Sequence, residues 1–107
     1  MFPYKFPNAA SYVISVTNTA TRLLTLINTA AGATISFPYD LSIIELSPED
    51  GDIRYTDNDA VPTAANGKLL VQGGSYSIET APVNVQLIRT GGANVAVNVR
   101  VGWIRRG

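Results

Sequence analysis

The chain has no cysteine and no histidine among its 107 residues. Without cysteine it has neither a disulfide nor a thiolate nucleophile. Without histidine it lacks the commonest general base and the commonest transition-metal ligand. These absences exclude a Ser-His-Asp triad, a cysteine nucleophile and the usual zinc sites. We therefore expect no enzymatic activity and no cofactor.

Charge is scarce as well. Asp, Glu, Lys and Arg make up 15% of the residues, and the formal net charge is zero. No global field therefore draws the chain to nucleic acid or to an anionic membrane, and no apolar run approaches the ~20 residues of a membrane helix. The first residues lack the apolar core of a signal peptide, so we expect no export. A surface with few charges is poorly protected against self-association, which favours assembly.

Apolar residues that alternate along the chain are the strongest pattern present. Between residues 94 and 103 every second residue is a valine, which is the period of a strand with one buried face. These valines are Val95, Val97, Val99 and Val101. Shorter apolar segments predict further strands at residues 11–17, 21–28, 33–37, 41–46, 75–79 and 83–90. The sequence therefore predicts an all-β fold without a helix, an antiparallel β-sandwich or jelly-roll-like barrel of about eight short strands.

An extended arm is predicted at residues 1–10, ahead of a single β-sandwich domain at residues 11–107. Two prolines in the arm exclude a helix and favour an extended path. Phe2, Tyr4 and Phe6 alternate with them. Aromatic rings at such a position are candidates for an interface with a neighbouring subunit. A loose terminus is the alternative.

A hairpin at residues 51–74 is the stretch around which we expect the rest of the chain to be organised. Its polar loop, residues 57–67, carries Asp57 and Asp59, which are weak candidates for a cation site because hard cations take several oxygen ligands from flexible loops. The spacing does not match an EF-hand. We favour the alternative that the acids and Asn58 make Asx-turns, and we predict no metal.

Trp103, Arg105 and Arg106 lie close together near the last residue of the sequence. The tryptophan can cap the core or anchor an interface, and the arginines can pair with acids of a neighbour or remain solvated. A pair of arginines is too small a basic patch to indicate nucleic acid. We regard all three as interface candidates.

Six short segments between residues 43 and 103 carry a family resemblance. They are residues 51–57 (GDIRYTD), 60–64 (AVPTA), 67–70 (GKLL), 76–78 (YSI), 87–90 (LIRT) and 96–99 (AVNV). In this order they resemble a family of small all-β virion proteins of tailed bacteriophages, whose members occupy head-decoration, connector and tail positions.

The resemblance implies a structural protein of the virion, made in the host cytoplasm, that decorates or cements the capsid. Its implied partners are its own copies, as a homotrimer, and the major capsid protein. The alternative is a receptor- or carbohydrate-binding β-module on a phage tail or head fibre. That function needs aromatic side chains on one exposed face, and the candidates are Tyr39, Tyr55, Tyr76 and Trp103.

Overall fold

Two four-stranded antiparallel sheets packed together form the protein, as seen in a computed structural model that describes residues 8–35, 41–58 and 60–104. The strands are β1 (Asn8–Val16), β2 (Thr21–Arg22), β3 (Leu41–Pro48), β4 (Ile53–Thr56), β5 (Lys68–Leu70), β6 (Tyr76–Glu79), β7 (Gln86–Arg89) and β8 (Val95–Ile104). One helix, α1 (Leu23–Ala31), follows β2, and a 3-10 turn, Pro82–Asn84, precedes β7. The prediction of an all-β sandwich of about eight strands is confirmed.

The first sheet has the order β1-β8-β3-β6, so β8 pairs along both of its edges. Val97 lies opposite Ile14 of β1 and opposite Pro48 of β3. The four valines of β8 are each at most 2% exposed, whereas Asn98 and Arg100 between them are exposed. The predicted division of this strand into a buried and an outer face is therefore confirmed.

The second sheet has the order β2-β7-β4-β5 and supplies the other half of the core. Leu87 of β7 lies opposite Thr21 of β2 on one side and Tyr55 of β4 on the other. Leu87, Ile53 and Leu70 are fully buried and pack in one cluster with the valines of β8. The hairpin of β4 and β5 is confirmed, with Ile53 opposite Leu70.

The helix α1 is the main correction to the sequence analysis. Residues 21–28 were predicted as a strand, but strand pairing ends at Arg22 and a helix follows. Leu23 and Ile27 are four residues apart, so they share one helix face, and both are fully buried in the core. The helix ends at Gly32, whose φ of 68° and backbone hydrogen bonds to Asn28 and Thr29 form a left-handed cap.

Two further strands differ from their predicted bounds. Residues 33–35 form no strand; instead the Ile35 N–H donates to Asn28 Oδ1 at 2.8 Å, and residues 36–40 lie outside the described part. The strand predicted at residues 83–90 begins only at Gln86, because Pro82 fixes its φ in the preceding 3-10 turn.

The start of the sandwich lies earlier than predicted. Asn8 pairs with Trp103 and Ala10 pairs with Val101, so residues 8–10 belong to β1 and not to an arm. The rest of the predicted arm, residues 1–7 with Phe2, Tyr4 and Phe6, lies outside the described residues. No helix in the described ranges has the length and apolarity needed to span a membrane.

Replacing Ile27 by alanine is expected to lower the free energy of unfolding by about 2–5 kcal/mol, since it removes a fully buried side chain from the core. Thr25→Ala, on the exposed side of the same helix, is the control and should change it by at most about 0.5 kcal/mol. Urea denaturation followed by circular dichroism measures both. Equal effects of the two substitutions would contradict the burial of α1.

Candidate functional site

The acidic residues after β3 accept hydrogen bonds that hold their loop against strand β8 and against a neighbouring loop. Asp50 Oδ1 accepts a hydrogen bond from the Ala96 N–H at 2.9 Å, and Asp52 Oδ1 accepts one from the Gln72 N–H at 2.8 Å. In addition, Asn98 Nδ2 donates to Glu49 Oε1. Each carboxylate thus satisfies a nearby donor, which is a structural use of the charge.

These contacts bring three connections together at one end of the sandwich. Asp52 O accepts hydrogen bonds from the N–H of Thr90 at 3.3 Å and from its hydroxyl at 3.2 Å. A side chain on Gly51 would not fit, because its Cβ would lie 2.8 Å from Val95 Cγ2. The connections β3–β4, β5–β6 and β7–β8 therefore form a closely packed end.

The loop between β4 and β5 is held against the outer face of the second sheet by Arg54. The guanidinium donates from Nε to Ala64 O at 3.1 Å and from a terminal nitrogen to Gly67 O at 2.8 Å. Pro62 is buried, and a Cβ on Gly67 would lie only 3.3 Å from the Pro62 Cβ. The hairpin loop is thus folded back on β4.

Turn chemistry shapes the rest of this loop. Asn58 Oδ1 accepts a hydrogen bond from the Ala60 N–H at 3.2 Å, which is an Asx-turn. Thr63 Oγ1 accepts a hydrogen bond from the Asn66 N–H at 2.9 Å, and Thr56 Oγ1 donates to Ala60 O. These side chains thus form hydrogen bonds with the backbone of their own loop.

Of the two cation candidates on this loop, only Asp57 is among the described residues. Asp57 is exposed, and Asp59 lies outside the described residues. Within residues 8–35, 41–58 and 60–104, no three acidic side chains are grouped as metal ligands.

The aromatic candidates for a sugar platform do not share an exposed face in the part that is described. Tyr55 is 8% exposed and belongs to the core. The Tyr76 hydroxyl accepts the Val71 N–H at 3.0 Å, and the side chain packs against the core cluster. The Trp103 backbone pairs with Asn8, but its side chain lies outside the description, as do Tyr39, Arg105 and Arg106.

The surface that sequence reasoning missed is the outer edge of β1. This strand has nine residues, stands at the end of its sheet, and contains neither a charged residue nor a proline. Val13, one residue past its midpoint, is 62% exposed, between the exposed side chains of Ser11 and Ser15. Beside it, a groove of about 460 Å³ continues across the outer face to Glu45 and Arg100. The absence of charge was the available signal, but it does not show which strand lies at an edge.

Comparison of the chain with known proteins identifies no relative. No protein-family model matches the chain, and neither a curated protein nor a solved structure is detectably similar to it. The resemblance to phage virion proteins therefore rests on the six sequence segments alone.

Replacing Arg54 by methionine keeps the apolar stem but removes both hydrogen bonds to the loop. We expect faster amide hydrogen exchange at residues 60–67 and a loss of about 1–3 kcal/mol in the free energy of unfolding. Arg100→Met, on the exposed outer face of the other sheet, is the matched control. Unchanged exchange in the Arg54 variant would show that the guanidinium does not hold the loop.

Tyr55 gives a pH-dependent test of the same region. Burial raises the pKa of the Tyr55 phenol above its ordinary value of about 10, and the negative charge of Asp57 raises it further. The unfolded chain releases this proton more readily, so this contribution to stability is complete below pH ~10 and is lost as the pH rises through the folded pKa. Ultraviolet titration of the phenolate should show a late component that Tyr55→Phe removes and Asp57→Asn moves to lower pH. A titration unchanged by Tyr55→Phe above pH ~10 would contradict this assignment.

Proposed function

We propose that the chain is a structural component of a tailed-phage virion, which decorates or cements the capsid through contacts with its own copies and with the major capsid protein. The observation that supports this role best is the edge of β1, which is long, uncharged and unpaired within the described residues. The family resemblance supplies the setting of the virion, and the edge supplies a surface for assembly.

An edge of this kind favours a protein that works in an assembly. Soluble proteins protect strand edges with charged residues, prolines, bulges or very short strands. β1 pairs with β8 over nine consecutive residues without a bulge and carries no charge. In a free protein such a strand is an aggregation hazard, whereas in a particle a neighbouring subunit covers it.

The fastened loops also suit a structural role. Asp50, Asp52 and Arg54 join loops to the strands or loops beside them through hydrogen bonds. A cement protein acts by geometric fit and requires no reacting group. The alternative of a carbohydrate-binding module gains no support from Tyr55 or Tyr76, because both rings pack against the core.

The first test is the composition of the particle. Gradient-purified particles of a phage that encodes the chain are expected to contain it in many copies, as measured by quantitative mass spectrometry. In electron microscopy, particles made without the gene should lack density on the head, and complementation should restore that density. Absence from purified particles would overturn the proposal, and density on the tail alone would favour the receptor-binding alternative.

The arm gives the second test. Removing residues 1–7 leaves every described strand in place, so the truncated chain should keep its melting temperature. It should lose attachment to particles that lack the protein, because Phe2, Tyr4 and Phe6 are the candidates for contact with the capsid. The full-length chain added to the same particles is the control, with co-sedimentation as the measurement. Normal binding by the truncated chain would remove these three residues from the interface.

A further inference from the structure

We propose that the edge of β1 pairs antiparallel with β1 of a second copy, about a two-fold axis at Val13. The two four-stranded sheets would then become one continuous sheet across the dimer. This deepens the proposed function and rests on its premise that the chain associates with itself. It is tested on purified protein, so it can fail while the virion role stands.

β1 differs from the other strands that end a sheet. The other three ends are β2, β5 and β6, which have two, three and four residues, whereas β1 has nine. Very short strands are a standard protection of a sheet edge. Within the described residues, no turn or loop makes a backbone hydrogen bond to residues 8–16. Among the described strands, β1 is therefore the one sheet end that lacks this protection.

The helix does not replace a strand partner for β1. Leu23 and Ile27 of α1 belong to the core cluster together with Ile14 and Val16 of β1. The helix thus packs on the core-facing side of β1. No described residue bonds to the backbone groups along the strand's outer edge, so these groups are open to a strand of another chain.

The side-chain pattern of β1 is compatible with antiparallel pairing of this strand with β1 of a second copy. With Val13 at the axis, Ser11 lies opposite Ser15 of the other copy, and Tyr12 lies opposite Ile14. Residues directly opposite in an antiparallel pair point to the same face of the sheet. Outer serines therefore meet outer serines, and Tyr12 and Ile14, which both pack against or within the core, meet each other. Neither copy has to turn a core side chain outward.

Charge is compatible with a second copy as the occupant. β1 carries no charge, and the charged residue beside it on the outer face is Arg100 of β8, opposite Ser11. In the dimer the two β8 strands are three strand spacings apart, about 14 Å, which exceeds the screening length of about 8 Å in physiological salt. Like charges of the two copies therefore do not oppose the contact.

Val13 becomes buried by this pairing. It is an apolar side chain that is 62% exposed, and at the axis it packs against its own copy. The contact is isologous and closes at two subunits. It cannot by itself build the predicted homotrimer, which would require a different surface.

The first experiment compares valine-to-lysine substitutions at two exposed positions. Val13→Lys places two ammonium groups at the axis, whereas Val83→Lys changes a valine that is 45% exposed in the 3-10 turn. Sedimentation equilibrium should show a dimer for the wild type and for Val83→Lys, and at least a tenfold weaker dimer for Val13→Lys. Val13→Thr, which stays β-branched and uncharged, should still form the dimer. Circular dichroism establishes that each variant folds.

The second experiment uses cysteine cross-linking, for which the chain offers a cysteine-free background. Under mild oxidation or with a short thiol cross-linker, Val13→Cys should cross-link to itself and Ser15→Cys should not. A mixture of Ser11→Cys and Ser15→Cys should give the mixed product. A monomeric wild type, a dimer unaffected by Val13→Lys, or a trimer without the Val13→Cys product would each overturn the proposal. A mixed product of Ser11→Cys with Val13→Cys, in place of the one expected, would overturn the register at Val13.

Discussion

Pairing of β8 along both edges is the interaction on which the rest of the structure depends. The strand aligns β1 and β3 on either side and directs four valines into the core. Ala96 of β8 also holds the loop that follows β3, because its carbonyl accepts the Glu49 N–H at 2.9 Å and its N–H donates to Asp50. That loop leads to Asp52, which in turn contacts Gln72 and Thr90. The position of one central strand thus sets both the core and the packed end of the sandwich.

The parts of the fold that could be predicted are those encoded over a few neighbouring residues. Strict alternation identified β8, since one face of that strand is buried and the other exposed. The helix was not predictable by the same reasoning, because Leu23, Leu24, Leu26 and Ile27 satisfy both a strand and a helix pattern. Its first turn has no side-chain cap, and the signal that was present, Gly32 after two alanines, lies at its end.

Among the candidate surfaces, too, the features that could be predicted are those encoded by neighbouring residues. The turn at Asn58 follows from local chemistry and was predicted. The contact of Arg54 with Gly67 spans thirteen positions and exists only because the loop folds back, so nothing local indicates it. The edge status of β1 depends on the order of strands in the sheet, which no single segment contains. Residue chemistry placed the interface candidates near the two ends of the sequence, while the described structure adds a strand edge between them.

The asymmetry of the sheet edges also limits how far assembly can proceed. An unprotected edge at both sides of a sheet would allow copies to add without end, as in fibres. Here β6, at the opposite side of the same sheet from β1, has only four residues, and β5, at the edge of the second sheet, has three and carries Lys68. Once two β1 strands pair, the edges that remain are short, and short edges are poor templates for another strand. An uncharged β1 is therefore tolerable in this fold because pairing it consumes the only long edge in the described part of the chain.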